Sequence, residues 1–352
     1  MRAFVLTGPG ESSVIDVEPP VAGPGEVIVD IARVGVCGTD MELAAGTMSY
    51  LHDDLAHYPV RPGHEWCGTV SAIGDGVDPA WLGRRTTGDT QIGCGRCHRC
   101  LTGRQHVCDD RHEIGLRRGF DGALAEQMSV PARALLALPD EVDDMSGAMV
   151  EPGGNALRAV RAASLDEGER LLVIGPGTIG LLAAQLAAAQ GCEVHVLGVT
   201  PASLEFAGAT VGVAGAWTQH DLPDLRWDGV IDASNDPTSP TRAAGLVDAG
   251  RRLVLIGLSE TPSLLDSRAL VMRDVTAVGV LSGSPGLVGA IGHFASAAVD
   301  PRPLVAATLT LDDVGDVLAG NRPASAGPGP KIHIDPRLRA PTPVTTQERT
   351  SP

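Results

Sequence analysis

Leu171-Leu172-Val173-Ile174-Gly175-Pro176-Gly177-Thr178-Ile179-Gly180 joins a four-residue apolar run to a G-x-G-x-x-G turn and the start of an Ala/Leu-rich segment. The uncharged stretch Leu171–Cys192 is long enough to span a bilayer, but Gly175-Pro176-Gly177 cuts it into a strand and a helix. Glycines between a buried strand and a helix allow a tight turn and bring backbone N–H groups and the helix N-terminus close to a pyrophosphate. Gly175, Pro176, Gly177, Thr178, Ile179 and Gly180 are therefore the expected dinucleotide-binding residues. A second strand, Glu193–Leu197, follows at the spacing such a unit requires.

Working outward, Val230–Ala233, Leu253–Ile256 and Thr276–Val280 alternate with Ala-rich helical stretches. That alternation predicts an α/β fold, a doubly wound parallel sheet with helices on both faces. Before Asn155 the texture is different. Short β-like runs (Phe4–Leu6, Glu26–Val29, Gly68–Ser71) are separated by turn signals such as Gly23-Pro24-Gly25, as in an irregular, mostly β domain. After about residue 297 come Leu309-Thr310-Leu311, a short helix near Val314–Ala319 and a last strand at Lys331–Ile334. Residues 336–352 are Pro/Thr/Arg-rich and read as a disordered tail.

Composition narrows the function. The 352 residues suit two domains, and Lys+Arg 27 against Asp+Glu 43 leaves a net charge of −16 with Lys331 as the single lysine. Such an acidic chain is a poor partner for nucleic acid or an anionic membrane surface. Met1-Arg2-Ala3-Phe4 enters a strand-like stretch with no apolar leader, and the reading is cytoplasmic.

Four of the seven cysteines form C-x2-C-x2-C-x7-C: Cys94, Cys97, Cys100 and Cys108. Four thiolates close a tetrahedral shell around Zn²⁺ with no open position, so this site is structural. Disulfides or an iron–sulfur cluster would draw on the same residues, and zinc is the preferred reading. A second constellation is dispersed over Cys37-Gly38-Thr39-Asp40, His64-Glu65 and Glu151-Pro152. One thiolate, one imidazole and one or two carboxylates are what an open catalytic zinc site needs. Thr39 lies close enough to Cys37 to meet a substrate oxygen, and Asp40 is placed to orient His64.

Together these residues resemble the zinc-dependent medium-chain dehydrogenase/reductase family of alcohol, polyol and sugar dehydrogenases, over about residues 1–335 and including Gly122-Ala123 through Pro131. The resemblance implies a GroES-like zinc catalytic domain from 1–152 and 297–335, a Rossmann domain over 153–296, and an active site in the cleft between them. It implies that Cys37, His64 and a carboxylate hold catalytic zinc, with Glu65 and Glu151 able to exchange roles, so that two zinc ions are expected per chain. Zinc then acts as Lewis acid on an alcohol or carbonyl oxygen, a hydride passes to or from nicotinamide, and Thr39 moves the proton. Glu42 stands where many relatives have a relay histidine, which tilts the reading toward polyols.

The strand after the glycine-rich loop ends in Gly198-Val199-Thr200. Gly198 replaces the acid that would bind the ribose hydroxyls, leaving room and no repelling charge, while Thr200 and Ser203 could bond a 2′-phosphate. NADP(H) is therefore slightly favoured over NAD(H). The expected substrate is a small-molecule secondary alcohol, polyol, sugar or cyclitol, or the matching ketone. The pocket loop Ala45–Tyr58 carries Met48, Tyr50, His52, Asp53, Asp54 and His57. A biosynthetic aldehyde, ketone or conjugated-alkene reductase is the alternative within the fold. A metal-bound sensor without catalysis is the non-enzyme alternative, against which the retained open metal set argues. A homodimer or homotetramer is the expected assembly.

Overall fold

A computed structural model describes residues 1–339. The first part supplies β1 (Arg2–Gly8), β2 (Glu11–Asp16), β3 (Glu26–Val36), β4 (Glu65–Ile73), β5 (Arg85–Gly88), β6 (Gln91–Ile92), β7 (His112–Glu113), β8 (Gln127–Pro131) and β9 (Leu135–Ala137). The middle supplies β10 (Arg170–Ile174), β11 (Glu193–Leu197), β12 (Gly215–Trp217), β13 (Trp227–Asp232), β14 (Val247–Leu255) and β15 (Thr276–Gly279). The chain returns with β16 (Val305–Leu309) and β17 (Lys331–Ile334). Four helices matter below: α1 (Gly38–Ala45), α2 (Val150–Ala163), α3 (Thr178–Ala189) and α4 (Pro201–Thr210).

Strands β10 to β15 form one parallel sheet in the order β12-β11-β10-β13-β14-β15. Order reverses between β10 and β13, and the crevice beyond the carboxyl ends of these two strands is where such sheets take ligands. The sheet is parallel because helices such as α3, nearly all Ala, Leu and Gly on its buried side, carry the chain back across its face. Leu171, Leu181, Val196 and Ile231 are fully buried in the core this creates.

The second sheet runs β16-β17-β3-β4-β5-β9, with β8 also pairing β3. Its strands come from both ends of the chain: β17 lies antiparallel to β3, with Ile332 opposite Val36 and Ile334 opposite Val34. Val29, Ile31, Val34, Trp66 and Ile334 are fully buried in its core. Placing the end of β3 beside the start of β4 is what builds the site.

Two expectations shift. Leu309-Thr310-Leu311 is not a strand of its own; β16 starts earlier and ends at Leu309, and Leu311 begins a short 3-10 turn capped by Thr310. The expected tail begins inside ordered chain, because Arg337 forms an ion pair with Asp335 at 2.9 Å and Arg339 reaches Glu126. Residues 340–352 lie outside the described residues.

Candidate active site

Cys37 follows the last residue of β3 and is the N-cap of α1, while His64 immediately precedes β4. Register sets Gly35 opposite Glu65, so the two ligand-bearing ends lie side by side. Ligand atoms of Cys37, His64 and Glu65 fall within 4.8 Å of one another. Thr39 Oγ1 is 3.8 Å from Cys37 Sγ. Asp40 is fully buried beneath them. Its Oδ2 accepts the Cys37 N–H at 3.0 Å, its Oδ1 accepts the Gly63 N–H at 3.2 Å, and Oδ1 lies 3.4 Å from His64 Nδ1. Burial would raise this carboxyl, but His64 and the two N–H donors more than offset it and hold Asp40 below its usual value. Asp40 thus faces Nδ1 and leaves Nε2 for a metal.

Glu151 opens α2 and stands outside the three-residue set. Asn155, one helical turn on, donates Nδ2 to Glu151 Oε1 at 2.9 Å and fixes that carboxylate at the cleft. Burial pushes Glu151 up to about 7, with His64 opposing and Glu65 adding to the rise. Glu65 is held differently, because Lys331 Nζ donates to both of its oxygens, at 2.8 and 2.6 Å. Burial would lower the Lys331 ammonium, but Glu65 more than offsets this and keeps it charged.

Lys331 and Asn155 went unassigned in the sequence reading. A signal for Lys331 was present: lysine is almost never fully buried without a partner, and this one heads the apolar strand Lys331–Ile334.

The cysteine loop brings all four sulfurs within 4.8 Å of one another, and all four cysteines are free. Cys94 and Cys100 sulfurs are 4.0 Å apart and those of Cys97 and Cys108 are 3.7 Å apart. These separations are far from a disulfide bond and close to the roughly 3.8 Å edge of a zinc tetrathiolate with bonds of about 2.3 Å. Backbone N–H groups of Arg96 and Cys97 favour the Cys94 thiolate, while burial and the neighbouring sulfurs push Cys100 up to about 12. A cation resolves that conflict, because it stabilises all four thiolates together.

At the other wall, β10 is followed by Gly175 with φ +95, a left-handed conformation that suits glycine. A Cβ on Gly180 would stand 2.0 Å from the Gly175 carbonyl oxygen, so this glycine lets α3 pack against the turn. Gly177, the N-cap of α3, has open space where its Cβ would be, as close phosphate approach requires. Gly198 departs from expectation. A Cβ there would meet Pro176 Cγ at 2.8 Å and Leu204 Cδ2 at 3.0 Å, so the glycine is packed against the loop and leaves no spare room. Thr200 caps α4 by accepting the Ser203 N–H, and the two hydroxyls lie 2.6 Å apart, already bonded to each other. Val199 beside them is 87% exposed.

One cleft of about 900 Å³ joins the two walls, lined by Cys37, Thr39, His64, Glu65 and Glu151 on one side and by Gly177, Thr178 and Ile179 on the other. From the expected pocket loop, Met48 and Tyr50 reach the cleft. His52, Asp53, Asp54 and His57 do not line it and face solvent, because the loop turns outward after Leu51.

A metal-ligand set and a dinucleotide loop sharing one cleft is the arrangement of a metal-assisted hydride-transfer enzyme, and the comparisons agree. Residues 23–140 match the alcohol dehydrogenase GroES-like domain and residues 178–296 the zinc-binding dehydrogenase domain. L-threonine 3-dehydrogenase of Idiomarina loihiensis is 30% identical over 280 residues, 75% of this chain and 79% of that protein. The chain belongs to the zinc-dependent medium-chain dehydrogenase/reductase family. Its structure is similar to that of an Escherichia coli alcohol dehydrogenase, RspB, in complex with NADH (TM-score 0.86, 26% identity, 95% of this chain and 99% of that one). It is equally similar to a Sinorhizobium meliloti zinc-binding dehydrogenase bound to NADP (TM-score 0.86, 27% identity, the same coverage). This chain is accordingly a zinc-dependent, nicotinamide-linked oxidoreductase of small alcohols or carbonyls. Among the described residues no helix is long and apolar enough to cross a membrane.

Proposed function

We propose that this enzyme interconverts a secondary alcohol of a small polyol, sugar or cyclitol with its ketone, using one zinc ion in the cleft and a second in the cysteine loop. The observation that carries the reading is one cleft lined both by Cys37, His64 and Glu65, with Glu151 beside them, and by the Gly177 turn. Zinc, when bound, supplies Lewis acidity toward the substrate oxygen, and the nicotinamide exchanges the hydride. Thr39 takes the alcohol proton. Glu42, half-buried on the same wall and raised by burial and by Glu260, passes it toward solvent. Polar groups further out suit a hydroxylated substrate: Tyr50 Oη donates to Glu113 Oε2 at 3.1 Å, and Gln91 and Asn321 line the same cleft. The test is reduction of NAD⁺ and NADP⁺ against a panel of polyols, sugars and cyclitols, with ketones, aldehydes and conjugated alkenes in reverse. Turnover of hydroxylated substrates supports the reading; turnover confined to conjugated alkenes or unsubstituted aldehydes contradicts it.

NADP(H) is slightly favoured over NAD(H), supported by the absence of an acid at Gly198-Val199-Thr200. With Thr200 and Ser203 engaged in the α4 cap, the preference is modest. Val199→Arg, at an exposed position, should raise the NADP(H) to NAD(H) ratio of kcat/KM by about tenfold, as one added charge–phosphate contact would. An unchanged ratio would place the adenosine ribose elsewhere.

The assembly is a homodimer or homotetramer formed through β15, which among the described residues pairs only with β14. The exposed side chains Val271, Met272 and Leu281 flank it in sequence. Thr276→Pro should lower the mass measured by light scattering toward that of a monomer. A cytoplasmic location fits the seven free cysteines.

A further inference from the structure

Gln91 and Glu113 stand opposite each other in the antiparallel β6–β7 ribbon, so their side chains leave the same face, and both line the cleft. The turn after Glu113 packs against the metal wall. Gly115 has φ +73, and a Cβ there would stand 3.0 Å from the backbone nitrogen of Gly63, the residue before His64. Gln91 is 4% exposed, and its Oε1 has no hydrogen-bond partner among the described residues. A buried acceptor left unpaired is costly, and this one belongs to a wall that substrate must pass. Glu113 Oε2 accepts the Tyr50 hydroxyl at 3.1 Å, while Oε1 takes no hydrogen bond among the described residues. Tyr50 is held from behind: Arg111 Nη2 donates to its Oη at 3.4 Å, and the buried Arg117 guanidinium lies 5.7 Å from its ring centroid. Neither arginine lines the cleft.

We propose that Gln91 and Glu113, with Tyr50 holding the carboxylate, form the subsite for substrate carbons beyond the reacting one, and that it takes neighbouring hydroxyls of an uncharged polyol or cyclitol. The proposal rests on the dehydrogenase reading above and narrows its substrate. Two acceptors on one face match two hydroxyl donors. A simple secondary alcohol leaves both acceptors unpaired. An anionic end, whether carboxylate or phosphate, meets the Glu113 carboxylate first and is repelled. Arg111 and Arg117 offset that carboxylate from behind Tyr50, so neutral hydroxyls are favoured over an ammonium group.

The test measures kcat/KM of the zinc-loaded enzyme for sorbitol, xylitol and inositol, and for isopropanol, gluconate and isopropanolamine. The best neutral polyol should exceed each of the last three by at least about tenfold. Gln91→Leu and Glu113→Leu should each lower the polyol value by about 10- to 100-fold more than the isopropanol value, as loss of one substrate hydrogen bond does. A merely structural role would lower both alike. Glu113→Gln keeps an acceptor and removes the charge, so it should hold the polyol preference over isopropanol and relax the rejection of gluconate. Should Gln91→Leu or Glu113→Leu fail to fold, Tyr50→Phe carries the test by releasing the carboxylate, and the polyol to isopropanol ratio should fall in the same direction. A wild type that oxidises isopropanol, gluconate or isopropanolamine at least as well as the best polyol overturns the proposal alone. So do folded variants that lose activity toward polyol and isopropanol in equal proportion. Absence of turnover with every alcohol on the panel overturns the dehydrogenase reading with it.

Discussion

His333 is fully buried in β17, and neither ring nitrogen has a partner among the described residues. Burial first, then the charges of Lys331 and Arg33, bring it down to about 3, so it is neutral in the folded enzyme. The unfolded chain binds a proton near the ordinary value of 6.5, and the native chain does so only near 3. This contribution to stability is therefore complete above 6.5 and is lost as the pH falls through that window. His106, brought down to about 4 mainly by burial, acts in the same direction. His333→Leu should leave stability at neutral pH equal or higher and flatten its acid-side slope by about 1.4 kcal/mol per pH unit, the equivalent of one proton. Urea titrations at several pH values measure this, and identical slopes for the two proteins would mean that His333 takes up its proton in the native state. The residue scale is also where sequence reading was most uneven. Cys37, His64 and the four loop cysteines were legible because few residue types bind zinc. Gly35, Asn155 and Lys331 were not, because their roles come from partners fixed by folding: Lys331 meets Glu65 across a separation of 266 residues.

The element that organises the nucleotide wall is the β10–turn–α3 unit, which was readable from a strand-length apolar run followed by glycines. Its tightest point is Gly180, packed on the Gly175 carbonyl oxygen. Gly180→Ala forces backbone apart at 2.0 Å. It should destabilise the protein by about 1–3 kcal/mol, as other overpacked sites do. It should also raise KM for the nucleotide more than KM for the alcohol. Equal changes in both would mean that the turn does not hold the pyrophosphate. Reading fell short where the decisive neighbour lies outside the element. Gly198 suggested room until Pro176 and Leu204 were seen packed over it. β12 and the two-residue β6–β7 ribbon are too short to show any periodicity.

At the scale of the molecule, the two sheets meet around a cleft whose walls are tied together through Asp89. Asp89 accepts from Gln91 N–H, from Gln105 beside the cysteine loop, and from Ser284 Oγ at 2.6 Å in the segment after β15. The cysteine loop therefore sits where its order supports the joint between the catalytic and nucleotide parts. The alternation of strands and helices made the middle of the chain legible in sequence, and short β-like runs between turn signals did so for the part before it. The way β17 completes the sheet of β3 and β4 is a matter of long-range pairing and came only with the resemblance. The two metal sites should behave differently: Cys97→Ser removes folding energy at a closed site and lowers Tm, whereas His64→Ala empties an open site and spares the fold. The most direct test of the whole account is the zinc content of protein purified without added metal, taken for wild type and for His64→Ala together. The account predicts two zinc ions per chain in the wild type, and one in His64→Ala with Tm essentially unchanged and turnover lost. Iron in place of zinc, a wild-type value near zero, or a His64→Ala protein that still holds two zinc ions would contradict it.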